Sequence, residues 1–96
     1  MPQAFLMEVL EWNETLEEAR SADAGSPKRE AAFKLKPDLD EERATRLDAI
    51  TRLLSPLPDP ESEALSTARR ELNAVRYLDR ALRELESLRL ADAEAR

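Results

Sequence analysis

Residues 4–20 read AFLMEVLEWNETLEEAR, and their spacing decides the fold. Phe5, Val9, Trp12, Leu16 and Ala19 recur at steps of four, three, four and three. That is the repeat of one face of an α-helix turning through about 100° per residue. This stripe is predicted to enter the core. Leu6, Met7 and Leu10 do not share it. Glu14 lies nearly opposite the stripe, Met7, Leu10, Glu17 and Glu18 surround it, and Leu6 and Glu11 sit nearer the flanks. One reading is that Leu6 merely widens the core stripe and the glutamates are a solvated face, since single exposed apolar residues are common. The other is that an apolar trio set among carboxylates is a surface kept for a protein partner.

Beyond Arg20 the small and polar residues 21–26, with the chain's one glycine at Gly25, mark a helix end. Ser26 and Pro27 suit an N-cap and a first helical position, opening a short segment over 27–36 that carries Phe33 and Leu35. Pro37 disfavours helical geometry at Lys36 and lacks a backbone donor, so a break or kink is expected there. Asp38, with Glu41 three residues on, can cap a restart. Leu39, Arg43, Leu47, Ile50 and Leu54 then keep helical spacing, giving a helix over 38–55. The run SPLPDP at 55–60 reads as an extended connector whose Asp59 and Pro60 prepare the next helix, over 60–90.

Leu65, Ala68, Leu72, Val75, Leu78, Leu82 and Leu85 form the seam of that last helix. Three helices with one apolar stripe each predict an all-α fold, a small antiparallel three-helix bundle forming a single domain over 1–96. The expected core joins Phe5, Val9, Trp12 and Leu16 to Leu47, Ile50, Leu54, Leu65, Leu72, Val75, Leu78, Leu82 and Leu85. Tyr77 lies more than a quarter turn off the seam, with Ala74 and Ala81 as small same-side neighbours. It is either a tyrosine lying over a helix edge with its hydroxyl in water or a second apolar element of the surface that carries Leu6, Met7 and Leu10.

Ninety-six residues suffice for one modest core, and four aromatic residues leave it to be built from Leu, Ala, Val and Ile. Fifteen Lys and Arg against twenty-one Asp and Glu give a net charge of −6, which argues against a phosphate-backbone partner. The Arg69–Arg70 doublet has acids close by and no interleaved aromatic platform, and it reads as a solvated helix face. No apolar run approaches membrane-spanning length, and the opening MPQAFLMEVL lacks a signal-peptide pattern. With no cysteine, neither a disulfide framework nor a thiolate metal site can form. A soluble, cytoplasmic protein is expected.

The composition also removes most catalytic chemistry. Without His or Cys the usual nucleophile and base pairings are missing. A pair such as Glu14 and Glu18 on an open helix surface has no enclosed pocket to shift its proton affinity. There is no Asp-rich calcium loop and no glycine-rich phosphate cradle. No enzymatic activity, cofactor or metal is expected.

Two segments carry a family resemblance. AFLMEVLEWNETLEEAR, residues 4–20, resembles the FLME-x-LE-x-x-E-x-LEEA helix in the C-terminal domain of the HscB co-chaperone, the DnaJ-type protein of iron–sulfur cluster assembly. ARRELNAVRYLDRALRELE, residues 68–86, is similar to that family's basic, Leu-rich helix around R-[FY]-L. Together they cover a little over a third of the chain. The resemblance implies docking of an IscU-type scaffold protein, with apolar contacts at Leu6, Met7, Leu10 and Tyr77 and acidic ones at Glu11, Glu14 and Glu18. It implies an Hsp70 partner of the HscA type only through a separate J-domain. With no histidine, the His-Pro-Asp signature of that domain is missing from these 96 residues. A start at Met1 just after the J-domain linker is the corresponding expectation. The middle, 21–64, departs from the family pattern, with Pro37 interrupting a helix expected to be continuous.

Two functional classes follow. In the first, the domain docks a scaffold, with Leu6, Met7, Leu10 and Tyr77 as the buried centre and the glutamates as a steering rim. In the second, the same patches pair two copies of the bundle, although two acid-rich first helices packed parallel and face to face would repel. A monomer or a weak homo-oligomer is expected, with no nucleic-acid or membrane partner.

Overall fold

A computed structural model describes residues 3–95. Met1, Pro2 and Arg96, which the single-domain expectation for 1–96 includes, lie outside the described residues. The described chain is helical without strands, in four helices: α1 (Gln3–Arg20), α2 (Pro27–Phe33), α3 (Leu35–Leu53) and α4 (Glu63–Glu94). The body measures 53 × 24 × 16 Å. Its length is set by the 32 residues of α4, which at about 1.5 Å each span nearly all of it.

Local chemistry explains the element ends. Gly25 adopts φ 78°, a left-handed turn in which a side chain would be strained although nothing stands in its way. Ser26 then caps α2, its Oγ accepting from the Arg29 backbone N–H at 3.3 Å, with Pro27 at the first position. The break expected at Pro37 falls three residues earlier, at Lys34, and α3 already includes Lys36 and Pro37. The proline ring collides with the carbonyl four residues back. Here that is Phe33, the last residue of α2, so the joint forms there. Pro37 itself occupies the first turn of α3, where no backbone donor is needed. Asp38 is accordingly inside α3 and is not its cap.

The start of the long helix also differs from expectation. Asp59 and Pro60 belong to the connector, the Asp59 carbonyl accepting from the Ser62 N–H at 3.0 Å. Ser62 is the cap of α4, its Oγ accepting from the Leu65 N–H at 3.2 Å.

The main core comprises Phe5, Val9, Trp12, Leu16 and Ala19 of α1, Ala32 of α2, Leu39 of α3, and Ala74, Leu78, Ala81, Leu85 and Leu88 of α4. The α1 stripe is therefore buried as its spacing predicts. On α4 the seam is rotated. Leu72 is 44% exposed, whereas Ala74 and Ala81 are buried. Two helices pack against α4 from different sides, so it buries one stripe of large residues and a second of small ones. Leu47, Ile50, Leu54, Leu65 and Leu82, all expected in the core, are only half-buried.

Charged groups cross-link the elements. Arg43 Nε pairs with Asp79 Oδ1 at 2.5 Å, and Arg46 Nη1 with Glu71 Oε2 at 2.9 Å, joining α3 to α4. Arg20 pairs with Glu84, joining α1 to α4. That bond to Glu84 holds the Arg20 guanidinium above its usual proton affinity.

Arg29 is buried. It donates from Nε to the Ala22 carbonyl at 3.2 Å and from Nη1 to the Leu88 carbonyl at 3.5 Å, and its Nη1 lies 3.2 Å from Asp92 Oδ1. One side chain thus ties the α1–α2 turn to the far end of α4.

Replacing the fully buried Leu78 with Ala should cost about 2–5 kcal/mol. Leu72→Ala, at an exposed site, should stay within about 0.5 kcal/mol of the parent. Urea unfolding of both variants checks the rotated seam; equal losses would contradict it.

Candidate partner-binding surface

The surface begins with how α1 is held. Phe5 packs edge-on against Trp12, with centroids 5.6 Å apart and an interplanar angle of 82°, and against Tyr77 at 6.4 Å and 71°. The guanidinium carbon of Arg46 sits 4.4 Å from the Phe5 centroid. Arg46 is itself fixed by Glu42 and Glu71. The first turns of α1 are thereby gripped from α3 and α4 through one ring.

With that side buried, the other faces water. Leu6, Met7 and Leu10 are 41%, 58% and 67% exposed, and Glu11, Glu14, Glu17 and Glu18 are exposed beside them. Rows of residues along α1 show which way each turns. Leu6, Leu10, Glu17 and Arg20 follow helical steps of four, seven and three, and Arg20 reaches Glu84 of α4. Leu6, Leu10 and Glu17 therefore lie on the flank of α1 nearer to α4. Met7, Glu11, Glu14 and Glu18 lie farther round, away from the core.

Tyr77 lies over a helix edge and is partly buried. Ala74 and Ala81, one turn either side, are 1% and 4% exposed and belong to the core that α1 and α4 share. Tyr77 stands at the edge of this small-residue stripe, half-buried and packed against the core through Phe5. The rest of it lines a surface cavity of about 170 Å³ with Asn73, Arg76 and Arg80. Leu6 and Leu10 thus lie on the α4-side flank of α1, Tyr77 stands on α4 against Phe5, and Met7, Glu11, Glu14 and Glu18 extend the α1 face outward.

A basic row occupies the exposed side of α4. Arg69, Asn73, Arg76 and Arg80 recur at steps of four, three and four on the side of α4 away from its core stripe. Among the described residues Arg69, Arg76 and Arg80 form no ion pair, and neither do Glu11, Glu14, Glu17 and Glu18. Arg69 thus belongs to a helical repeat that reaches Arg80, beyond the Arg69–Arg70 doublet. Among the described residues no group of acids could hold a metal ion, and no helix is long and apolar enough to cross a membrane.

A family model described as the HSCB C-terminal oligomerisation domain matches residues 1–86. The chain belongs to that family. No curated protein and no solved structure matches the chain. The HSCB C-terminal domain is a non-catalytic, co-chaperone-related module of protein–protein contact. Asp92, the acidic partner of the buried Arg29, lies beyond the matched residues.

Tyr77 should report on stability as well as on the surface. Tyr77→Ala is expected to cost about 1–3 kcal/mol through loss of packing on Phe5, and Tyr77→Phe far less. Leu10→Ala should leave the melting temperature nearly unchanged. Thermal unfolding of the three variants is the check, and a Tyr77→Ala protein as stable as the parent would mean the ring is not packed.

Proposed function

We propose that this domain docks an IscU-type iron–sulfur cluster scaffold, presenting it for delivery to an HscA-type Hsp70 engaged through a separate J-domain. The observation that carries the reading is the exposure of Leu6, Met7 and Leu10 on a helix whose opposite side is fully packed. Exposed apolar side chains on a rigid element lose little further freedom on binding, so burying them contributes directly to affinity. Membership of the HSCB family and the resemblance of residues 4–20 to its acidic, apolar helix support the same partner.

In this reading Leu6, Leu10 and Tyr77 form the centre of the interface and Met7 extends it. Glu11, Glu14 and Glu18 form a rim that attracts a basic patch on the scaffold. The domain has no enzymatic activity of its own and acts in the cytoplasm, in keeping with a composition without cysteine. An antiparallel course of the bundle belongs to it too. Its support is that Arg43 and Arg46 of α3 pair with Asp79 and Glu71 of α4, numbers rising on one helix as they fall on the other.

A second reading is self-association through the same face. What favours it is the family's own description as an oligomerisation domain.

Titration with a purified IscU-type scaffold, followed by NMR shifts, tests the first reading. Leu10→Ala should weaken binding by about 1–2 kcal/mol or more, and tight binding by that variant would remove Leu10 from the interface. Glu14→Gln combined with Glu18→Gln should slow association and flatten its salt dependence. An unchanged salt slope would exclude the glutamates from steering.

A further inference from the structure

We infer that the scaffold meets α4 with an acidic surface, one of its carboxylates seating between Arg76 and Arg80 beside Tyr77, so that the docking face is acidic on α1 and basic on α4. The inference rests on the scaffold-docking reading and adds to it a contact of the opposite sign. It begins from two cations that the fold leaves without partners. Arg76 and Arg80 are exposed, and among the described residues neither forms an ion pair. They stand one turn apart on α4, where like charges repel and cost helix stability. The acids of the same stretch do not relieve them. Glu71 is taken by Arg46, Asp79 by Arg43, Glu84 by Arg20 and Glu86 by Arg89. In a chain of net charge −6, positive charge is thus left concentrated and uncompensated on one helix.

The surroundings of these cations suit a carboxylate. Arg76 and Arg80 line, with Asn73 and Tyr77, the surface cavity of about 170 Å³. Two guanidiniums, an amide and a phenol border that space, and no acidic residue does. A guanidinium presents its N–H donors in a planar fork that a carboxylate accepts bidentately. Pockets for free ligands run to about 300–1,000 Å³, so this smaller space fits a side chain presented by a protein. A second depression of about 320 Å³, lined by Arg69, Arg70 and Leu72, shares Asn73 and Arg76 with the first. Leu72, 44% exposed, places an apolar group within the basic row, which favours a protein surface over a phosphate backbone. Tyr77 links the row to the docking face. It packs on Phe5 and lines the cavity as well, so a scaffold that covers Tyr77 comes within reach of both arginines. A contact acidic on one helix and basic on the other fixes the scaffold's orientation, since a half-turn of the scaffold sets like charges together.

The sign of a charge-reversal effect tests this. Arg76→Glu with Arg80→Glu takes the net charge from −6 to −10, each change replacing a positive by a negative charge. The variant should bind a purified IscU-type scaffold at least about tenfold more weakly in a calorimetric titration, and associate more slowly in stopped flow. A scaffold drawn only by the chain's negative charge associates faster with the variant. That result, or an unchanged affinity, overturns the inference and leaves scaffold docking standing. Circular dichroism reports whether the variant is folded. If it is not, Arg76→Gln with Arg80→Gln, which removes the guanidiniums without adding negative charge, carries the same test and should weaken binding in the same direction. A parent chain that does not bind the scaffold overturns the docking reading and the inference together.

Discussion

The packing of Phe5 is the interaction on which the rest of the molecule depends. Its ring meets Trp12 within α1, Tyr77 on α4 and the Arg46 guanidinium on α3. With only four aromatic residues in the chain, three of them converge here. A chain this small buries little surface, so concentrating its largest side chains at one junction of three helices fixes their relation more firmly than scattering them would. Arg46 adds a hydrogen-bonded charge to the same junction, held by Glu42 and Glu71.

At the other end Arg29 does a comparable job by polar means. A buried guanidinium satisfied by two backbone carbonyls and Asp92 holds the turn between α1 and α2 against the last turns of α4. Between the two ends Ala74 and Ala81 are buried in the core shared by α1 and α4. The helix is thus gripped at both ends along one side, and its exposed leucines and glutamates are carried on a firm support. A docking surface gains from such support because less ordering is left to accomplish on binding.

The proposed docking face combines apolar and charged groups. Exposed Leu6, Met7 and Leu10 stand among carboxylates on α1, and Tyr77 stands beside Arg76 and Arg80 on α4. Apolar centre and charged border are the general anatomy of a protein interface. On α1 the border is acidic, which in the proposed docking suits a basic patch on the scaffold.

Much of this was legible in the letters alone. The α1 stripe, the exposure of Leu6, Met7 and Leu10, the Ser26–Pro27 cap and the helical class all follow from spacing and backbone chemistry, which are local. Other features required neighbours in space. Leu72 and Ala74 exchange expected places because α4 meets two helices, and the periodicity of one helix cannot say how many partners it has. Tyr77 is half-buried because Phe5, far away in sequence, packs on it. The break attributed to Pro37 appears at Lys34 because the clash acts on the preceding turn. Sequence by itself determined which residues could share a helical face. Only the tertiary structure decided which faces met, since burial is a property of the partner as much as of the helix.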